Sequence, residues 1–235
     1  MNKLIVVTGG TKGIGKAIIK KFASESFDII TCARKEHELS TLKVEIEGKY
    51  PGVILDYLAS DLSSKSDTQR FLSFIKGTRR SVNVLVNNAG YFIPGQIHNE
   101  EEGTLEKMLN INLISAYDIT RGLVHQMKDR KEGHIFNMCS TASIIPYVNG
   151  GSYCISKFAI YGMTKVLREE MKEFDVKVTA ILPGATLTAS WEGSDLPEDR
   201  FMKSEDVAEA IWAAYSLSKN SVMEEILIRP QLGDI

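Results

Sequence analysis

The sequence lacks the features that would direct it to a membrane, a nucleic acid or an oxidising compartment. It has only three cysteines, Cys32, Cys139 and Cys154. Their spacing matches no metal-ligand pattern and they form no even-numbered framework, so neither a metal site nor a disulfide scaffold is expected. They suit a reducing cytosol, and packing as small apolar residues accounts for them without a redox role. No apolar run approaches the roughly 20 residues that span a bilayer. Met1-Asn2-Lys3 leads straight into Leu4-Ile5-Val6-Val7, a run too short for a secretory signal and without a small-residue cleavage site. A cytoplasmic chain with no membrane contact is therefore expected. The 30 acidic and 28 basic residues leave a net charge of only −2. That excludes a general attraction to nucleic acid or anionic lipid. There is no internal linker, repeat or low-complexity segment, and 235 residues suit a single domain over 1–235.

What is present is an ordinary globular composition, 43% hydrophobic and 25% charged, laid out as alternating strands and helices. Short apolar runs read as strands at residues 4–8, 29–33, 53–58, 82–86, 135–139, 176–182 and 225–229. Helical periodicity fills the intervals at 16–24, 36–49, 64–77 and 105–128, then from residue 150, and at 204–218 with Ser204 as the expected N-cap. Repeated β-α alternation predicts an α/β fold: a single-domain, doubly wound parallel sheet of seven strands with helices on both faces, a Rossmann fold. Residues 185–203 show no clear periodicity and read as a flap over a site.

The first strand runs into Gly9-Gly10-Thr11-Lys12-Gly13-Ile14-Gly15 and then into a helix. Strand, glycine turn and helix in that order form the context in which a glycine pattern cradles phosphate. Glycines permit close backbone approach, and the helix N-terminus offers free N–H groups to a pyrophosphate. An ordinary glycine loop is the alternative. At the end of the second strand stands Arg34, where an acidic residue would bind the ribose 2′-hydroxyl of NAD. A guanidinium there suits a 2′-phosphate, with Lys12 as a second cation, so NADP(H) is expected over NAD(H). Arg34 also reads simply as the start of a charge-rich helix. Asp61 and Leu62 follow the third strand, and Asn87-Asn88-Ala89-Gly90 follows the fourth. A carboxylate past a strand end can accept from an adenine amino group, and small residues let a cofactor lie against backbone.

Tyr153-Cys154-Ile155-Ser156-Lys157 places a phenol and an ammonium on one face of a helix, one turn apart. The ammonium favours the phenolate, which makes the pair a plausible acid/base catalyst at an alcohol oxygen. Alone, such a pair also occurs on solvated helix faces. Ser140 ends the fifth strand, where such sheets place their chemistry. Asn110 and Asn112 interrupt a helix interior that Asn does not favour, and an Asn there can bend the helix and hold a water.

With these motifs in this order, the sequence resembles the short-chain dehydrogenase/reductase family over nearly its whole length. The carriers are Thr8-Gly9-x-x-x-Gly13-Ile14-Gly15, Asp61-Leu62, Asn87-Asn88-Ala89-Gly90, Asn112, Ser140, Tyr153-x-x-x-Lys157, and Pro183-Gly184 with Thr188. The resemblance implies a catalytic tetrad of Asn112, Ser140, Tyr153 and Lys157. Tyr153 would exchange the proton, Ser140 would steady the oxygen, Lys157 would bind the nicotinamide ribose, and Asn112 would hold a relay water. It implies cofactor contacts at Gly9, Thr11, Lys12, Gly13, Ile14, Gly15, Arg34, Asp61, Leu62, Asn88, Ala89, Gly90, Tyr153, Lys157, Pro183, Gly184, Thr186 and Thr188. Within the family, residues 153–158, 183–191 and 224–235 look like those of bacterial sepiapterin reductases. Asp234 could bind the donor edge of a pterin and Trp191 could cover its ring, beside Ser140 and Tyr153 as substrate contacts.

The resemblance thus implies an NADP(H)-dependent carbonyl reductase acting on a small ketone, with a pteridine such as sepiapterin as one candidate. A 3-oxoacyl-[acyl-carrier-protein] reductase of fatty acid synthesis uses the same tetrad. It would need a basic patch near the cleft mouth, which Arg121, Lys128, Arg130 and Lys131 could supply. A catalytically silent NADP(H)-sensing protein is the alternative of another class, and the intact tetrad counts against it. The resemblance also implies a homodimer or homotetramer. Ile111, Leu113, Ile114, Ala159, Ile160 and Met163 supply more apolar surface than one helix face needs.

Overall fold

The computed structural model describes residues 2–188 and 196–233. Among them seven strands form one sheet, in the order β3-β2-β1-β4-β5-β6-β7, with every pairing parallel. The strands are β1 Leu4–Thr8, β2 Asp28–Ala33, β3 Leu55–Ala59, β4 Val82–Asn87, β5 Gly133–Met138, β6 Val176–Pro183 and β7 Glu225–Ile228. The helices are α1 Gly13–Ser24, α2 Glu36–Lys49, α3 Lys65–Gly77, α4 Thr104–Leu109, α5 Ser115–Arg130, α6 Gly151–Met171 and α7 Ser204–Tyr215.

The inner strands of the sheet are buried on both faces, which is why they read as unbroken apolar runs. Side chains alternate along β1: Ile5 and Val7 join Phe22, Ile46 and Ile211 on the α1/α2/α7 face. Leu4 and Val6 join Phe71, Leu123 and Val178 on the other face, under α3 and α5. Burying each such large side chain contributes roughly 1.5–3 kcal/mol. The strand order reverses beside β1, which pairs with β2 on one side and β4 on the other. That reversal opens a crevice at the carboxyl ends of the strands.

Three expectations need correction. The helix expected over 105–128 is broken by a π-helical turn at Asn110–Ile114, between α4 and α5. The side chain of Asn112 bonds away from its own helix, which stabilises that bulge. Ser204 is the first helical residue of α7 and not its N-cap. Lys203 takes that place, and its N–H donates to the Asp206 carboxylate. The third strand begins at Leu55, because Ile54 instead gives its N–H to Asp28 Oδ1. No described helix is long and apolar enough to cross a membrane.

Candidate active site

The turn between β1 and α1 is as tight as its glycines allow. Gly9 and Gly13 have φ of +71° and +51°, the region that favours glycine. A Cβ at Gly15 would lie 2.2 Å from Gly9 O. At the N-terminus of α1, Lys12 makes no side-chain cap bond and the first turn holds no acidic residue among the described residues. The first-turn N–H groups are therefore left for an anion. Asn88 locks this turn to β4: its Nδ2 donates to Thr8 O and Gly9 O at 2.9 and 3.1 Å. The Thr8 hydroxyl accepts from Asn88 N and Ala89 N, each at 2.9 Å.

A cavity of about 870 Å³ runs from this turn across the strand ends. The glycine-turn positions other than Gly10 line it, as do Arg34, Asp61, Leu62, Asn88, Ala89, Gly90, Pro183, Gly184, Thr186 and Thr188, together with Ser140, Tyr153 and Lys157. Such a volume suits a large organic ligand. Trp191 and Asp234 lie outside the described residues, as do residues 189–195 of the 185–203 segment. The described part of that segment is tied down by a bridge between Thr186 and Met202.

At the far end of the cavity α6 presents Tyr153 and Lys157. Lys157 is almost fully buried, and its ammonium donates to Met138 O at 2.8 Å and lies 5.7 Å from the Tyr153 ring centroid. The Tyr153 ring meets Phe92 edge-on at 4.9 Å. Ser140 follows β5 and opens a short 3₁₀ turn, Thr141–Ser143. Its hydroxyl accepts from Ala142 N at 3.1 Å, which leaves its proton to donate.

Asn112 does not line the cavity; it stands buried behind Gly90. Its Oδ1 accepts from Tyr91 N at 3.1 Å, and its Nδ2 donates to Tyr91 O and to the Ser156 hydroxyl at 3.2 and 2.9 Å. A Cβ at Gly90 would sit 2.7 Å from that Oδ1 and 3.8 Å from Lys157 Nζ. Glycine is what lets the backbone pass between them.

Electrostatics separate the groups further. Burial pushes the Cys139 thiol up to about 11 against the opposing Lys157 charge, so this thiol is inert. Burial, reinforced by Tyr153, also raises the Tyr147 phenol, which stays a neutral donor at the cavity wall. Among the described residues no group of His, Cys, Asp and Glu could hold a metal ion.

A family model described as short chain dehydrogenase matches residues 3–198. The chain belongs to the short-chain dehydrogenase family. It is an oxidoreductase of that family. It is 30% identical to the sepiapterin reductase of Chlorobaculum tepidum over 100% of this chain and 99% of the relative. A metagenomic short-chain oxidoreductase solved in complex with NADP shares 27% identity, covers 97% of each chain and superposes with a TM-score of 0.85. An alcohol dehydrogenase of Thermococcus sibiricus, 23% identical over 100% of this chain and 99% of that one, shares the fold with a TM-score of 0.92.

Sequence reasoning missed several residues of this family site. Ser156 lies inside the Tyr153–Lys157 stretch, but only its burial shows that it joins Asn112 to α6. Phe92, Ile145 and Tyr147 line the cavity from loops, where no periodicity marks them. Glu100 reaches α6 from the loop after β4 and accepts from Ser152 N at 2.8 Å and from the Ser152 hydroxyl. Glu38 and Lys35 stand at the Arg34 end. Of the basic residues that could line the cleft mouth, Lys128 and Arg130 lie elsewhere. Arg130 donates to Val82 O, the first residue of β4, and Lys128 covers Phe174. Those residues therefore sit at the amino ends of the strands, opposite the crevice.

Proposed function

We propose that this chain is an NADPH-dependent carbonyl reductase of small, flat ketones, with a pteridine side chain as the favoured substrate class. The observation that carries this reading is the convergence of Ser140, Tyr153 and Lys157 on one crevice beside the glycine turn. The residues present fit the cofactor. The turn has no room for a Cβ at Gly15, the first turn of α1 contains no acidic residue, and Lys12 and Arg34 line the adjoining wall. The NADP bound by the metagenomic relative supports the same assignment. The chemistry such a cofactor supplies when bound is transfer of a hydride.

The chain's own groups handle the proton. Tyr153 donates its phenolic proton to the carbonyl oxygen as the alcohol forms, or removes it in the reverse direction. Ser140 gives its free hydroxyl proton to the same oxygen and steadies the developing charge. Lys157 spends one N–H on Met138 O and keeps the others for the ribose hydroxyls. Asn112 keeps the π turn against α6 and offers its remaining Oδ1 lone pair to a relay water near Lys157. Phe92, Ile145 and Tyr147 give the substrate end a flat apolar wall. Asp234 and Trp191 are assigned to the pterin's donor edge and ring on the likeness of the sequence alone.

Exposed apolar residues on α5 and α6, Tyr117, Ile155, Phe158 and Val166, support a homo-oligomer built on these helices. Ile111 and Ile160 are core residues and do not contribute.

The test is cofactor oxidation by purified protein with sepiapterin and an acetoacetyl thioester side by side, each with NADPH and NADH. Fast NADPH-linked turnover of sepiapterin is expected. Turnover of the thioester alone, or with NADH alone, contradicts the reading.

A further inference from the structure

The Arg34 end of the cavity holds a carboxylate among its cations. Glu38, in the first turn of α2, is partly buried and contacts three partners, Thr11, Lys12 and Lys35. Its carboxylate lies 3.2 Å from Lys12 Nζ and 3.4 Å from Lys35 Nζ. The Thr11 hydroxyl donates to it at 3.2 Å. Thr11, Lys12, Arg34, Lys35 and Glu38 all line the same cavity. Burial works against the Glu38 charge, but the bonds from Lys12 and Thr11 outweigh it and hold the group below its ordinary value. Glu38 is therefore a carboxylate at neutral pH.

We infer that Glu38 occupies, in the cofactor-free protein, the cations that the 2′-phosphate takes over, and so limits how strongly the chain prefers NADPH to NADH. This rests on the NADPH reading above. Two anions cannot both hold short contacts to the same ammonium groups without repelling each other. The exchange costs little on the lysine side, because Lys12 and Lys35 are 62% and 60% exposed and their ion pairs are solvent-screened. A 2′-phosphate brings more charge than a carboxylate and three acceptor oxygens, so it wins the lysines. Glu38 then remains beside it as an uncompensated like charge. A 2′-hydroxyl does the opposite: it can donate to Glu38, so NADH loses nothing by its presence. The carboxylate thus acts as a specificity-determining group with a sign contrary to that of its cationic neighbours.

The test is direct binding, read by titration calorimetry on the intact chain, with NADPH, NADH and the fragments 2′,5′-ADP and ADP. Glu38→Gln keeps the shape and removes the charge. It is expected to bind NADPH and 2′,5′-ADP about three- to tenfold more tightly than wild type, with NADH and ADP unchanged or weaker. Glu38→Ala is expected to move in the same direction, and a melting curve on each variant establishes that it is folded. Unchanged or weaker 2′,5′-ADP binding by both folded variants, with wild type still preferring NADPH, overturns the inference alone. A wild type that prefers NADH and ADP overturns the NADPH reading, and the inference with it.

Discussion

The Asn112 carboxamide donates to the Ser156 hydroxyl at 2.9 Å, and that hydroxyl donates in turn to the Tyr153 carbonyl at 2.7 Å. A side chain on the π turn is thereby tied to the turn of α6 that carries the proposed proton donor. Both polar groups are buried, so neither has water as a substitute partner. Asn112→Ala is expected to lower stability by about 1–3 kcal/mol in urea unfolding. It is also expected to cut turnover at least about tenfold, through the loosened Tyr153. A variant that loses stability but keeps full turnover would reduce Asn112 to packing.

The glycines of the first turn have unequal consequences. A Cβ at Gly15 would lie 2.2 Å from Gly9 O, a backbone atom that cannot rotate away. Gly15→Ala is expected to cost about 1–3 kcal/mol and to weaken NADPH binding at least about tenfold. At Gly48, near the end of α2, a Cβ meets nothing within 4 Å. Gly48→Ala is expected to stabilise by roughly 0.5–1 kcal/mol and to leave binding unchanged. Calorimetry and thermal melts on both variants check the contrast.

His134 sets an acid limit on the fold. Its ring stacks on Phe136 at 3.9 Å, and its Nε2 meets the Thr179 hydroxyl at 2.8 Å. That hydroxyl donates to Met223 O, so the ring N–H lies on Nε2, and Nδ1 has no partner among the described residues. Burial, aided by Lys177, lowers its pKa from 6.5 to about 3. The unfolded chain takes up the proton first as pH falls. Stability is therefore fully present above about 6.5 and is lost below it, by up to about 1.4 kcal/mol per pH unit until the folded value near 3 is reached. Urea unfolding at about pH 7 and about pH 5.5 is expected to show this loss in wild type and a shallower one in His134→Leu. Equal slopes would mean that the histidine is not the source.

The frame of the site was legible because the chemistry that builds it is local. A glycine turn between an apolar strand and a helix, and a Tyr and Lys one helical turn apart, each declare themselves within a few residues. Strand content was equally plain, since a sheet covered on both faces needs uninterrupted Val, Ile and Leu. What sequence could not show was pairing across distance. Glu38 reads as one more charge on an exposed helix until the fold brings Lys12 to it from another element. Ser156 has no role visible within its own stretch until Asn112 reaches it across 44 positions. The basic residues on and just after α5 offer a docking patch in sequence, but Lys128 and Arg130 lie at the end of the sheet away from the crevice. Asn112 marks a bend in its helix from sequence alone, but the full π turn is held by bonds to Tyr91 that only the fold supplies.

If Tyr153 moves the proton, Tyr153→Phe removes turnover and leaves the cofactor site intact. The change removes one hydroxyl and keeps the ring against Phe92. NADPH binding is measured beside NADPH-linked reduction of the best ketone substrate. NADPH affinity is expected within a fewfold of wild type and turnover lower by about 10²–10⁴-fold, the usual worth of a positioned general acid. Turnover within about tenfold of wild type, with cofactor binding intact, would contradict that role for Tyr153.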